Sequence, residues 1–124
     1  MTNCRILVVD DSEDEVFLLS QLLALMGYTV EQAHGGRDAL EKVRLFDPQL
    51  ILCDIRMPGM SGLEFARKLR ETGHASIYLI AISGYAERAI MQQAESCGFD
   101  QFLVKPIEIT TLQEAIADCL PCFN

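Results

Sequence analysis

At 124 residues, half of them hydrophobic and 23% charged, the chain fits one ordinary globular domain with a substantial core. Its net charge of −8 argues against a nucleic-acid phosphate binder, which needs clustered Lys and Arg. No apolar run reaches the roughly 18–20 residues that span a bilayer, and no signal peptide precedes the first strand, so a cytoplasmic protein without membrane contact is expected. Five cysteines (Cys4, Cys53, Cys97, Cys119 and Cys122) lack the paired spacing of a disulfide framework, and a reduced compartment is the simpler expectation. Cys119-Leu120-Pro121-Cys122 matches C-x-x-C, but it closes the chain instead of opening a helix after a strand, which argues against a redox role.

Strands and helices alternate along the whole chain. Arg5-Ile6-Leu7-Val8-Val9 is a short apolar run that reads as a buried strand, and Asp10-Asp11-Ser12 follows it. From Glu13 to Met26 the residues Val16, Leu19, Leu22, Leu23 and Met26 recur at helical spacing, and Gly27 stops the helix. Thr29 to Ala33 is a second strand. Gly35 to about Leu45 is a helix with Ala39, Leu40 and Val43 inward, ended by Asp47-Pro48. Leu50-Ile51-Leu52-Cys53 runs into Asp54 as a third strand, and a helix from about Ser61 to Glu71 offers Leu63, Phe65, Ala66 and Leu69 to the core. Ile77 to Ile82 is the fourth strand, followed by Ser83-Gly84 and a helix over roughly Glu87 to Ser96. Gln101 to Val104 is the fifth strand, leading into Lys105-Pro106. Glu108 to Cys119 is the last helix, with Leu112, Ile116 and Leu120 in register. Five βα units in succession predict an α/β fold, a doubly wound parallel sheet with helices on both faces.

The chemistry-bearing residues sit at strand ends. Asp10-Asp11, Asp54, Ser83 and Lys105 directly follow the first, third, fourth and fifth strands. Ligand sites of open α/β sheets form outside the carboxyl ends of the strands, so three carboxylates, a hydroxyl and an ammonium should share one crevice. Carboxylates that close repel one another, and a hard divalent cation relieves the repulsion; carboxylate and water make a Mg²⁺-like ligand set. A cation, an ammonium and a hydroxyl are the parts that hold a transferring phosphoryl group. One carboxylate must then accept it. Asp54, from the central strand and with no acidic neighbour in sequence, is the candidate.

Four stretches carry a resemblance: Ile6-Leu7-Val8-Val9-Asp10-Asp11, Cys53-Asp54-Ile55-Arg56-Met57-Pro58-Gly59-Met60-Ser61-Gly62, Ala81-Ile82-Ser83-Gly84-Tyr85 and Leu103-Val104-Lys105-Pro106. In order and spacing they resemble the motifs of response-regulator receiver domains, and the match covers essentially the whole chain, residues 1–124, as one such domain. The resemblance implies a flavodoxin-like (βα)5 sheet of strand order 2-1-3-4-5. It implies that Asp54 is the phosphoacceptor, charged by a histidine kinase or a histidine phosphotransfer protein. The metal, Mg²⁺ or alternatively Mn²⁺, would be bound by Asp11 directly, by Asp10 mainly through water, by Asp54 and by the backbone carbonyl of Arg56. Ser83 and Lys105 would bind phosphoryl oxygens, Ser83 and Phe102 would form the switch, and Lys105-Pro106 would carry a cis peptide bond. Such a domain is a signalling module more than an enzyme, and it acts on a downstream protein target through a reshaped surface.

Two departures from the pattern are visible. Ser83 stands where Thr is common, and Phe102 stands where Tyr is commoner; both leave phosphorylation intact. The stretch Ala94 to Ile107 looks most like receivers attached to hybrid histidine kinases, and the chain ends just after the last helix, as a free-standing receiver or one cut from a longer protein would. Two other classes compete. A phosphatase using Asp54 as transient nucleophile would place a second acid two residues later, where this chain has Arg56. A receiver-like interaction module that is never phosphorylated would have lost part of the acidic set or the Lys, and all are present. Arg56 and Tyr85, each two residues beyond a site residue, should flank the path of water to an aspartyl phosphate and tune its lifetime. Phe17 lies opposite the inward stripe of its helix, a candidate anchor for a partner's helix.

Overall fold

The computed structural model describes residues 4–119. Its elements alternate throughout: β1 (Arg5–Val9), α1 (Glu13–Leu25), β2 (Thr29–Ala33), α2 (Gly36–Phe46), β3 (Leu50–Asp54), α3 (Gly62–Glu71), β4 (Tyr78–Ser83), α4 (Arg88–Ser96), β5 (Gln101–Val104) and α5 (Ile109–Ala117). All five strands run parallel in one sheet of order β2-β1-β3-β4-β5, the arrangement expected. β3 lies at the centre and is buried at all five positions, as a strand covered on both faces must be.

Alternation along the strands divides the core in two. Leu7, Val9, Ile51, Cys53, Leu79 and Ala81 face α2, α3 and α4, where Ala39, Val43, Phe65, Ala66, Leu69 and Ala94 meet them. Ile6, Val8, Leu50, Leu52, Ile80 and Ile82 face α1 and α5, against Val16, Leu23, Leu112 and Ile116. The helix α1 turns its expected stripe to the core and adds one polar residue, Ser20, to it. Val16, Ser20 and Leu23 are buried, Leu19, Leu22 and Met26 only partly so, and Phe17, Leu18 and Leu25 are exposed. Leu19, Leu22 and Met26 pack against the core beside the fully buried line at i, i+4 and i+7, and Phe17, Leu18 and Leu25 lie outside the stripe.

Other boundaries move by a residue or so. β4 extends to Ser83 because that residue pairs with Val104 and its carbonyl accepts from the Lys105 N–H at 2.8 Å. Gly35, Ser61, Glu87 and Glu108 are helix caps instead of first helical residues. The α5 helix stops at Ala117; Leu120 and Cys122 lie outside the described residues. Cys53 and Cys97 are free thiols, but Cys4 is disulfide-bonded, contrary to the expectation of a wholly reduced set. No helix among the described residues is long and apolar enough to cross a membrane.

One close approach fixes the central strand end. Ser61 caps α3: its Oγ accepts from the Glu64 N–H at 3.2 Å, and the Glu64 carboxylate accepts from the Ser61 N–H at 3.5 Å. Gly62 then lies directly against β3, donating its N–H to the Ile55 carbonyl at 2.9 Å. A Cβ on Gly62 would collide with the Asp54 carbonyl oxygen and stand 2.9 Å from Ile55 Cα, both backbone atoms that cannot swing away. Gly62→Ala should therefore destabilise the fold by about 1–3 kcal/mol, the usual cost of overpacking. Urea denaturation checks this, and a wild-type midpoint would mean that α3 can slide off β3 without cost.

Candidate phosphoryl-transfer site

Parallel register builds the site. Val9 pairs with Cys53, so the next residues along, Asp10 and Asp54, emerge side by side from the carboxyl ends of β1 and β3. Both share the strand parity of the α1/α5 face, and both are buried, at 6% and 7% exposure. Asp11, exposed, begins the turn toward α1. Carboxylate oxygens of Asp10, Asp11 and Asp54 lie within 4.8 Å of one another. Ser83 ends β4 just past the Asp54–Ile82 pair and is 1% exposed; its Oγ accepts from the Tyr85 N–H at 3.1 Å.

Lys105 arrives from the end of β5, before a cis bond to Pro106. Its Nζ lies 3.2 Å from Asp10 Oδ2, 3.7 Å from Asp54 Oδ1 and 2.8 Å from Glu15 Oε1. The second Asp10 oxygen is also engaged, accepting from the Ser12 N–H at 3.0 Å. Glu15 was not legible as a site residue. In sequence it stands three residues after the cap Ser12, the position of an ordinary capping-box Glu.

Electrostatics follow from this crowding. Burial, and then the Asp10 charge, push the Asp54 carboxyl from 3.8 up to about 6; Lys105 opposes, while Asp11 and Glu15 add to the rise. Burial works to lower the Lys105 pKa, but the hydrogen bond to Glu15 and the charges of Asp54 and Asp10 outweigh it and raise it. Cys53 is driven up by burial, then by Asp54 and Asp10, so it is a protonated thiol. One ammonium thus serves several carboxylates. An all-oxygen donor set with surplus negative charge suits a hard divalent cation, and the residues present fit one.

Two residues of neighbouring loops meet each other. The Arg56 guanidinium lies 4.3 Å from the centroid of the Tyr85 ring, a cation–π contact between the β3–α3 and β4–α4 loops. Both side chains are exposed. Phe102 is not part of the crevice: it is half-buried on β5 and packs on the core under α2, α3 and α4. Phe17 is 56% exposed on α1, outside the crevice.

The profile of the response regulator receiver domain matches residues 6–117, nearly the whole described chain. The chain belongs to the response-regulator receiver family. It is 31% identical over 121 residues to sporulation initiation phosphotransferase F of Bacillus subtilis, covering 98% of this chain and 97% of that protein. It is 35% identical over 108 residues to sensor protein EvgS of Escherichia coli, covering 87% of this chain but 9% of that protein. Among solved structures, chemotaxis protein CheY4 of Vibrio cholerae superposes with a TM-score of 0.89 at 28% identity, over 95% of this chain and 99% of that one. A CheY-like receiver from Methanospirillum hungatei gives 0.87 at 30% identity, over 94% and 93%. Receivers are phosphoacceptor signalling domains of two-component systems, which take phosphate from histidine kinases or phosphotransfer proteins and are not classical enzymes.

The raised Asp54 pKa has a consequence for stability. Between about pH 4 and about pH 6 the folded receiver holds a proton on Asp54 that the unfolded chain has released, so stability falls as pH rises through that window and is level above it. In metal-free buffer Asp54→Asn should exceed wild type in stability by about 1–3 kcal/mol at pH 7. The gain should vanish below about pH 4, where both states of the wild type are protonated. Denaturant titrations at several pH values check it, and a gain independent of pH would show that the carboxylate is not strained.

Proposed function

We propose that this receiver accepts a phosphoryl group on Asp54 from a phosphohistidine of a histidine kinase or histidine phosphotransfer protein and, once phosphorylated, changes the surface it offers to a downstream protein. The observation that carries the reading is the convergence of Asp10, Asp11, Asp54 and Lys105 at the carboxyl end of the central strands. Asp54 is the acceptor because it ends the innermost strand and faces the crevice with Lys105 3.7 Å away. Its oxygen attacks phosphorus, the P–N bond to the donor imidazole breaks, and the imidazole nitrogen keeps the electron pair. Asp10, Asp11, Asp54 and the backbone carbonyl of Arg56 would hold Mg²⁺, or Mn²⁺ in its place. That cation, when bound, supplies charge neutralisation for the transferring group.

Lys105 holds a phosphoryl oxygen from the β5 side. Ser83 takes another by turning its Oγ from the Tyr85 N–H toward Asp54, and the space it leaves draws in Phe102, which reshapes the surface of α4 and β5. On α1, Phe17 is the anchor on which the donor's helix docks, since it is the exposed aromatic of the helix that opens beside Asp10-Asp11. This domain would act in the cytoplasm.

The deciding experiment is labelling by acetyl phosphate with Mg²⁺, followed by intact mass. Wild type should gain one phosphoryl group and Asp54→Asn none; full labelling of the variant would place the acceptor elsewhere. In the same assay Phe17→Ser should label as wild type does from acetyl phosphate, yet slowly from a protein donor. Equal slowing from both would mark a folding defect.

The Arg56–Tyr85 contact bears on how long the signal lasts. Hydrolysis needs a water in line behind phosphorus, and the paired guanidinium and ring, carried on the loops that follow Asp54 and Ser83, would flank the path by which that water enters. An Arg is a poor base, so its bulk shields more than its charge assists. The phosphorylated lifetime should shorten about two- to fivefold in Tyr85→Ala, the worth of an exposed cation–π contact, and at least as much in Arg56→Ala. Dephosphorylation rates at saturating Mg²⁺ decide, and slower decay in Arg56→Ala would make charge stabilisation the larger effect.

A further inference from the structure

The first turn of α1 reads Ser12-Glu13-Asp14-Glu15, the Ser-x-x-Glu pattern of a capping box. Half of that box forms, with Ser12 Oγ accepting from the Glu15 N–H at 3.4 Å. The other half does not, because the Ser12 N–H already donates to Asp10 Oδ1 at 3.0 Å. In α3 the same pattern, Ser61 to Glu64, closes completely. The Glu15 carboxylate is therefore diverted from its own helix by Asp10, and it reaches Lys105 Nζ at 2.8 Å, nearer than Asp10 at 3.2 Å or Asp54 at 3.7 Å.

We propose that Glu15 is a positioning residue of the transfer site: it holds the Lys105 ammonium toward α1 in the unphosphorylated protein, and phosphorylation of Asp54 requires Lys105 to exchange Glu15 for a phosphoryl oxygen. The inference rests on the reading of Asp54 as phosphoacceptor. With acetyl phosphate as donor, an Asp54 oxygen bonds to phosphorus, the P–O bond to the acetyl group breaks, and acetate leaves with the electron pair. The dianionic group that arrives and the Glu15 carboxylate then compete for one ammonium. The Glu15 side chain is 49% exposed, so its hold on Lys105 is that of a surface pair, strong enough to set the resting position and weak enough to be displaced. Glu15 thus restrains the site: a free Lys105 would meet the incoming phosphoryl group sooner.

Two variants separate this exchange from bulk charge. Glu15→Gln keeps the shape and the backbone cap while removing the competing charge. Asp14→Asn removes an equal charge from the adjacent exposed position, for which no contact with Lys105 is seen among the described residues. At limiting acetyl phosphate with Mg²⁺, Glu15→Gln should label about two- to fivefold faster than wild type, the range of an exposed ion pair, and Asp14→Asn at the wild-type rate. The ¹⁵N resonance of the Lys105 ammonium in the unphosphorylated protein should shift in Glu15→Gln and stay in Asp14→Asn. Labelling of Glu15→Gln at or below the wild-type rate overturns the exchange, as does equal acceleration in both variants. An unmoved resonance overturns the pairing itself. A wild type that takes no label overturns the phosphoacceptor reading, and the exchange with it, whatever the resonance shows.

Discussion

Parallel pairing of β1 with β3 brings two buried carboxylates together, and much of the molecule is arranged around that conflict. The register that aligns Val9 with Cys53 leaves Asp10 and Asp54 no choice but to be neighbours. At roughly 4 Å, with an effective dielectric near 20, two like charges cost about 4 kcal/mol. Lys105 answers part of this, crossing from the end of β5 to stand within 3.7 Å of both. Burial first, and then the Asp10 charge, raise the Asp54 pKa; because Glu15 also holds that ammonium, negative charge remains in surplus and adds to the rise. A site strained in this way gains most from whatever brings positive charge, or removes negative charge, at Asp54.

Much of this was legible from residue order. Apolar runs that end in Asp, Ser or Lys located the strands, and β1, β2 and β5 begin and end where the pattern put them. Short buried strands announce themselves because both faces must be apolar and the next residue must leave the sheet. Ser83 was placed after β4 and instead ends it, since its pairing with Val104 belongs to a different strand's register. Helix α1 was harder still. Its periodicity separates Leu22, packed against the core, from Leu18, at 67% exposure, but says nothing of Ser20, a polar residue buried on the same helix.

Glu15 shows a different limit. A Ser-x-x-Glu start predicts a box, and the prediction holds at Ser61–Glu64. It fails at Ser12–Glu15 because a residue outside the helix, Asp10, satisfies the Ser12 N–H first. The competing bond is itself local, an Asp accepting from the N–H two residues on, yet nothing in the pattern says which acceptor wins. Lys105, the residue that receives the freed carboxylate, is distant in sequence. Local motifs therefore located the functional carboxylates that end strands, and missed the one whose partner is set by the sheet.

The two sides of the crevice differ in charge for a structural reason. On the α1 side Asp10 is set by the β1–β3 register, Asp11 follows it, and the first turn of α1 adds Glu13, Asp14 and Glu15, acids that a helix N-terminus favours. Arg56 and Tyr85 come from the loops after β3 and β4, and the first turns of α3 and α4 carry one acid, Glu64, and none, against three in α1. On the proposed reading Lys105, held from the acidic side, would meet a phosphoryl group on Asp54, while the Arg56 guanidinium is held over an aromatic face. On that reading Lys105 would have to be won from carboxylates before it could serve the phosphoryl group, whereas Arg56 is already paired with a neutral ring. Capture of the group and protection of the product would then fall to different residues, and sequence changes in α1 would alter one without the other.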